Sequence, residues 1–281
     1  MHTGHGPGAL ISGQTMVVKT TGDTVETALV EPRAMVAMTL GPEVGEAFDD
    51  KPGTRAKGVA MLRQELIKAQ EYARKVERGE DTQGEEEEGN GKPASRDLGL
   101  ETLAQVLAGE LPVLVTAQHH QDILDALRLQ REFGFRMVLD GAAESYLVLD
   151  EIREAGIVVL VHPPKARLFG ETRNVSLETP AKLKQAGIPF AFQSGYEAYV
   201  PKTRVVLFEA AIAAANGLAF EDTLAALTIE PARILGLEDR IGSLEPGKDA
   251  DVAVFDGDPF EYTTRVCAVI INGRPVSETC R

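Results

Sequence analysis

The sequence is short of cysteine, of basic charge and of long apolar runs, and each shortage removes a class of protein. Two cysteines are too few for a disulfide framework; Cys267 reads as a half-buried small residue in a strand and Cys280 as a free thiol in the tail. Lys and Arg number 29 against 43 Asp and Glu, a net charge of −14, so nucleic acid is not an expected partner, because phosphate binding needs basic patches. No apolar run approaches the ~18–20 residues of a membrane span, and the N-terminus lacks the charged-then-apolar order of a signal peptide. A soluble, cytoplasmic chain without membrane contact is expected.

The 281 residues, 43% of them apolar, suffice for a sizeable core. From residue 112 the organisation is regular. PVLVT (112–116), RMVLD (136–140), IVVLVH (157–162) and PFAFQ (189–193) are near-continuous apolar runs, as parallel strands covered on both faces require. Helices predicted over 100–107, 122–133, 144–154, 179–185 and 203–216 alternate with them, the order of right-handed βαβ crossovers. Upstream, residues 56–76 carry Val59, Leu62, Leu66, Ile67, Ala69 and Ala73 on one helical face. TMVVK (15–19) is a further short strand; residues 20–55 show no strong period beyond a possible strand over 24–29. Residues 77–97, with four adjacent glutamates and little apolar content, read as a disordered acidic insertion. Downstream, a helix over 221–235 is stopped by Gly236. Three β-type runs (240–244, 251–255 and 266–271) follow, divided and closed by Glu245-Pro246-Gly247-Lys248, Asp256-Gly257-Asp258-Pro259 and Asn272-Gly273.

The run TIEPARILGLEDRIGSLEPGKDADVAVFDGDP (228–259) resembles the C-terminal signature of the amidohydrolase superfamily, and the chain is similar to its imidazolonepropionase-like members. The resemblance implies an α/β fold: a partial (β/α)8 TIM barrel over residues 1–235, about the last five strands counting Thr15–Lys19, with the C-terminal strands of a small β-sandwich over 236–281. The N-terminal side leaves no residues to supply the other sandwich strands. The rest of the barrel would come from the protein's own missing N-terminal half or from another amidohydrolase-type chain. Open sheet edges predict that the chain oligomerises.

Relatives in this family hydrolyse non-peptide carbon–nitrogen bonds, such as those of cyclic amides, with one or two divalent metals, usually zinc. An HxH pair, two later histidines, an aspartate and often a lysine hold them at the strand ends. This chain contains no HxH. Where the resemblance places the two histidines and the aspartate, it has Thr116, Gly141 and Gly195. No catalytic residue, metal or other cofactor is therefore predicted, and the expected role is a non-catalytic partner or ligand-binding subunit. The competing reading is a portion of a metal-dependent hydrolase whose HxH lies outside this chain, with zinc bound.

A candidate pocket remains at the strand ends: Gln118, His119, His120, His162, Tyr196, Glu197 and Arg55. The last lies in PGTRAKG (52–58), similar to a family PTR element. The histidines either converge to bind a metal or act as a base, or are solvated residues at a helix start and in a loop. His119, His162 and Lys19, which ends TMVVK, are the metal candidates. His2 and His5 read as solvated loop, Lys165, Arg167 and Arg173 as a basic loop, and Ser194 lacks the GxSxG context of a nucleophile.

Overall fold

The first forty residues shuttle between two sheets. In the computed structural model, which describes all residues except 5, 7, 43, 45–51, 79–95, 163–169, 196–204 and 281, β1 (His2–Thr3), β3 (Met16–Val18) and β4 (Leu29–Glu31) form a small antiparallel sheet. The short helix α1 (Val25–Ala28), capped by the Thr24 hydroxyl, links the last two. Between β1 and β3, β2 (Ile11–Gln14) leaves to pair antiparallel with β5 (Val36–Thr39), the first of the parallel strands of the main sheet.

The main sheet runs β2-β5-β6-β7-β8-β9 with β6 (Val113–Ala117), β7 (Met137–Gly141), β8 (Val158–Val161) and β9 (Phe190–Phe192). Every pairing from β5 to β9 is parallel. Helices α2 (Arg55–Glu77), α3 (Leu98–Leu107), α4 (His120–Phe133), α5 (Leu149–Glu154), α6 (Thr179–Gln185) and α7 (Val206–Ala215) pack their apolar stripes on one face, over Val113, Val115, Leu139, Val159 and Phe190. The opposite face carries Leu114, Val138 and Leu160, covered by Met35 and by Ile234 and Leu235. Two residues further along each strand that second face turns polar, at Thr116, Asp140 and His162, because side chains repeat every second residue. The polar band lies at the C-terminal strand ends. After α8 (Phe220–Ala225) and α9 (Ile229–Ile234), strands β10 (Val252–Phe255), β11 (Val266–Ile271) and β12 (Arg274–Ser277) form a second antiparallel sheet. Among the described residues no helix is long and apolar enough to cross a membrane.

Several expectations are corrected. Thr15–Lys19 is not a strand of the main sheet; that place belongs to Val36–Thr39, a run buried at all four positions, as a strand covered on both faces must be. The N-terminal residues do supply strands beside the C-terminal sheet: Lys19 Nζ reaches Asp249 (2.8 Å), Asp251 (2.9 Å) and, closer still, Asn272 Oδ1. Residues 24–29 are mostly helical rather than extended.

The helix over 221–235 is two helices, broken at Thr228, since Pro231 offers no N–H to the carbonyl of Leu227. Residues 240–244 do not form a strand; Gly242, at φ +94°, lies so close to Ala232 and the Thr228 carbonyl that the segment packs on α9 instead. β12 is an additional strand, set by the Asn272-Gly273 turn, both residues of which have positive φ. Cys267 is half-buried in β11, as expected, but it is joined to Cys280 as a disulfide, so Cys280 is not a free tail thiol. Most of the acidic insertion lies outside the described residues.

Candidate functional site

The C-terminal ends of β5 to β9 open onto a set of charged and amide side chains. Thr116, at the end of β6, donates its hydroxyl to Asp140 Oδ2 (2.8 Å), and Gln193, one residue past β9, donates its amide to the other oxygen of Asp140. All three come from strands whose preceding layer is apolar, so Asp140 is 2% exposed. Next to it, β6 turns into α4 through Gln118, His119 and His120. Gln118 Oε1 accepts from the Ala143 N–H (3.2 Å).

Glu144 is the centre of the neighbouring group and is 1% exposed. It accepts from the His120 N–H (2.9 Å), from His120 Nδ1 (2.6 Å) and from the Asn174 amide (2.6 Å), and His119 Nδ1 is 3.1 Å away. Burial pushes the Glu144 carboxyl up. The His120 N–H, the Asn174 amide, the His120 ring and the His119 ring together outweigh it and bring it down to about 2. The charged form is therefore the resident one.

His119 Nε2 leads on to Glu171 (3.4 Å), which pairs with Arg55 Nη2 (2.7 Å), and Arg55 Nη1 also binds Asp122. Arg55 opens α2 directly after its Thr54 cap, and Gly41, beyond β5, lies against the same three side chains. For Asp122, burial raises the carboxyl above its usual range against the lowering pull of Arg55.

The two glycines explain the shape of the mouth. Gly141 has φ +79° and Gly195 φ +80°, a region where side chains other than glycine are strained. A Cβ on Gly141 would stand 2.5 Å from Gln118 Nε2, and one on Gly195 would overlap the His162 ring. Gln118 and His162 thus fill the room that side chains at 141 and 195 would need.

Of the residues singled out from sequence, Gln118, His119, His120, His162 and Arg55 gather here. Lys19 lies at the small sheets, away from this mouth, and Tyr196 and Glu197 fall outside the described residues, as do Lys165 and Arg167. Sequence reasoning missed Asp122, Asp140, Glu144, Glu171, Asn174 and Gln193. The signal for Asp140 and Gln193 was present, since each is a polar residue closing an apolar strand run; Glu144, Glu171 and Asn174 lie in stretches with no local mark.

A model described as the amidohydrolase family matches residues 193–277. A solved amidohydrolase from Thermotoga maritima MSB8 superposes with a TM-score of 0.84 at 32% identity, covering 97% of this chain and 70% of that one. The chain belongs to the amidohydrolase superfamily. Among curated proteins, this amidohydrolase-family chain is 30% identical over 147 residues to an imidazolonepropionase of Caulobacter sp. (strain K31), 52% of this chain and 36% of that protein. It is 57% identical over 37 residues, 13% of this chain and 8% of the other, to a 5-methylthioadenosine/S-adenosylhomocysteine deaminase of Symbiobacterium thermophilum. The chain spans well under half the length of the imidazolonepropionase it matches.

Many amidohydrolases carry a metal such as zinc, so the mouth can be tested for one. The described residues do not fit it: Thr116 is hydrogen-bonded to Asp140, and the spaces at Gly141 and Gly195 are occupied by Gln118 and His162. Among the described residues, no three His, Cys, Asp or Glu donors at the mouth lie within 4.8 Å of one another.

Proposed function

We propose that this chain is a non-catalytic member of its superfamily that binds a ligand or a partner at the strand-end face. The observation that supports this reading most directly is the pair of positive-φ glycines, each overlaid by a neighbouring side chain where the resemblance would put a metal ligand. Restoring a histidine at 141 or an aspartate at 195 requires both a strained backbone and displacement of Gln118 or His162. Much of the polar network at the mouth is also engaged in holding itself together, with Glu144 satisfied from three residues.

The ligand class follows from charge. Four carboxylates, Asp122, Asp140, Glu144 and Glu171, face the mouth, and Arg55 is already paired twice. A neutral or cationic polar ligand suits this face; a phosphate or other anion does not.

In this reading the five parallel strands are an arc of a (β/α)8 barrel, and the two small sheets are parts of the family's β-sandwich. The rest of the barrel comes from a companion chain or from a further part of the same protein. Exposed Leu244 (77%), Val254 (43%) and Tyr262 (94%) around the C-terminal sheet are apolar surface for such a contact.

The test is metal content by mass spectrometry on the oxidised chain, with the Cys267–Cys280 disulfide formed, together with light scattering. No stoichiometric zinc and self-association are expected. A tightly held equivalent of zinc would support the competing reading, a portion of a metal-dependent hydrolase of cyclic amides; a monodisperse, cooperatively unfolding monomer would remove the need for a partner.

A further inference from the structure

In the C-terminal sheet, the sulfurs of Cys267 and Cys280 and a carboxylate oxygen of Asp256 lie within 4.8 Å of one another. Among the described residues, no other set of three metal-ligating side chains does so. The sheet builds this convergence. β10 and β11 pair Val254 with Ala268 but Phe255 with Val266, which leaves Cys267 as the extra residue of a β-bulge. A bulge bends its strand and re-aims the side chain it carries. Asp256 follows at the end of β10, where the Arg265 N–H donates to its Oδ1 (2.8 Å) and its own N–H donates to the Arg265 carbonyl (3.2 Å). One carboxylate oxygen is thereby fixed and the other left for a further bond. The Asn272-Gly273 hairpin returns β12 along β11, and the tail beyond Ser277 brings Cys280 back to Cys267.

We propose that Asp256, Cys267 and Cys280 form a binding site for a soft or borderline divalent metal of the zinc class, and that the disulfide is its closed, metal-free form. Two thiolates and one carboxylate suit zinc, and the fourth position faces solvent, open to water. Opening the site takes a reductant: a dithiol transfers two electrons and two protons to the disulfide, giving two thiols, and leaves as its own cyclic disulfide. Metal binding then expels both thiol protons, so the two Zn–S bonds replace two S–H bonds. The device lies in the C-terminal sheet and draws on none of the strand-end residues, so it stands whether or not the mouth is catalytic.

The full chain, reduced with a phosphine and stripped by a chelator that is then removed, is titrated under nitrogen with cobalt(II) alone. One equivalent should bind with thiolate-to-cobalt charge-transfer absorption in the near ultraviolet, and added zinc should displace it. C267S and C280S should lose that band and weaken zinc binding about 100-fold or more, while D256N should keep the band and weaken binding about tenfold. The oxidised chain should show no band. Circular dichroism establishes that each variant is folded. As a second readout, zinc should protect both wild-type thiols from alkylation, counted by mass. A reduced wild-type chain with two free thiols and no charge-transfer band overturns the proposal, as does zinc affinity undiminished in the double variant C267S/C280S. Unchanged affinity in D256N overturns the three-donor assignment.

Discussion

Glu144 at the strand-end mouth and Lys19 between the small sheets are each a charged side chain held by three residues remote in sequence. Glu144 is gripped by His119, His120 and Asn174; Lys19 by Asp249, Asp251 and Asn272. They differ in water. Glu144 is 1% exposed, whereas the Lys19 side chain is 10% exposed and the aspartates beside it 26% and 33%. A buried charge depends on every partner, because no solvent substitutes for a lost one; a partly exposed cluster can replace a lost partner with water. The mouth is thus a rigid, pre-set arrangement, and the contact between the small sheets is a staple.

The comparison breaks most visibly at Glu144. E144A takes the shared acceptor from the His119 and His120 rings, the His120 N–H and the Asn174 amide, and should cost about 3–5 kcal/mol, seen as a fall in Tm of roughly 6–15 °C. The same residue carries a pH signature. Its carboxyl titrates at about 2 against an ordinary value of 4.5. A lowered pKa means stability that is complete above the unfolded value and lost as pH falls through the folded one. The stability gap between wild type and E144Q should therefore be constant above about pH 5 and shrink steadily toward pH 2. Urea melts across that range check it.

Next in size are the glycines. G195A should destabilise by about 2–3 kcal/mol, from positive φ and from overlap with His162. Combining it with H162A should recover the overlap part and leave the backbone part, a coupling of about 1 kcal/mol or more in a double-mutant cycle. Full additivity would mean that His162 does not occupy that space. K19M should cost about 1–2 kcal/mol, with the loss falling as salt rises and screens the two aspartates it leaves behind. At the small end, R63A removes an exposed pair with Glu132 and should leave the Tm unchanged within error.

Legibility in the sequence followed the range of the forces involved. The strand runs at 112–116, 136–140, 157–162 and 189–193 and the α2 stripe were readable because apolar periodicity is local and each covered face repeats at a fixed interval. The 228–259 signature carried the family for the same reason, since its turns need proline and glycine at set places. Thr15–Lys19 and Val36–Thr39 were not separable: both are short apolar runs, and only the partners available on each side assign one to the small sheet and the other to the main sheet. In the site, His119, His120 and Arg55 were visible as residue types, but Glu144, Asn174 and Glu171 were not, because nothing adjacent in sequence marks them as acceptors or donors for groups 24 to 116 residues away.

The sequence by itself determined the alternation of strands and helices, the superfamily, and the threonine and glycines that stand at 116, 141 and 195. Each of these is written in residue type and short spacing. Only the tertiary structure decided that Gln118 and His162 fill the space beside Gly141 and Gly195, that Lys19 joins two sheets, and that a bulge turns Cys267 toward Cys280 and Asp256. Those outcomes depend on which distant side chains meet, and packing settles that only when the whole chain closes on itself.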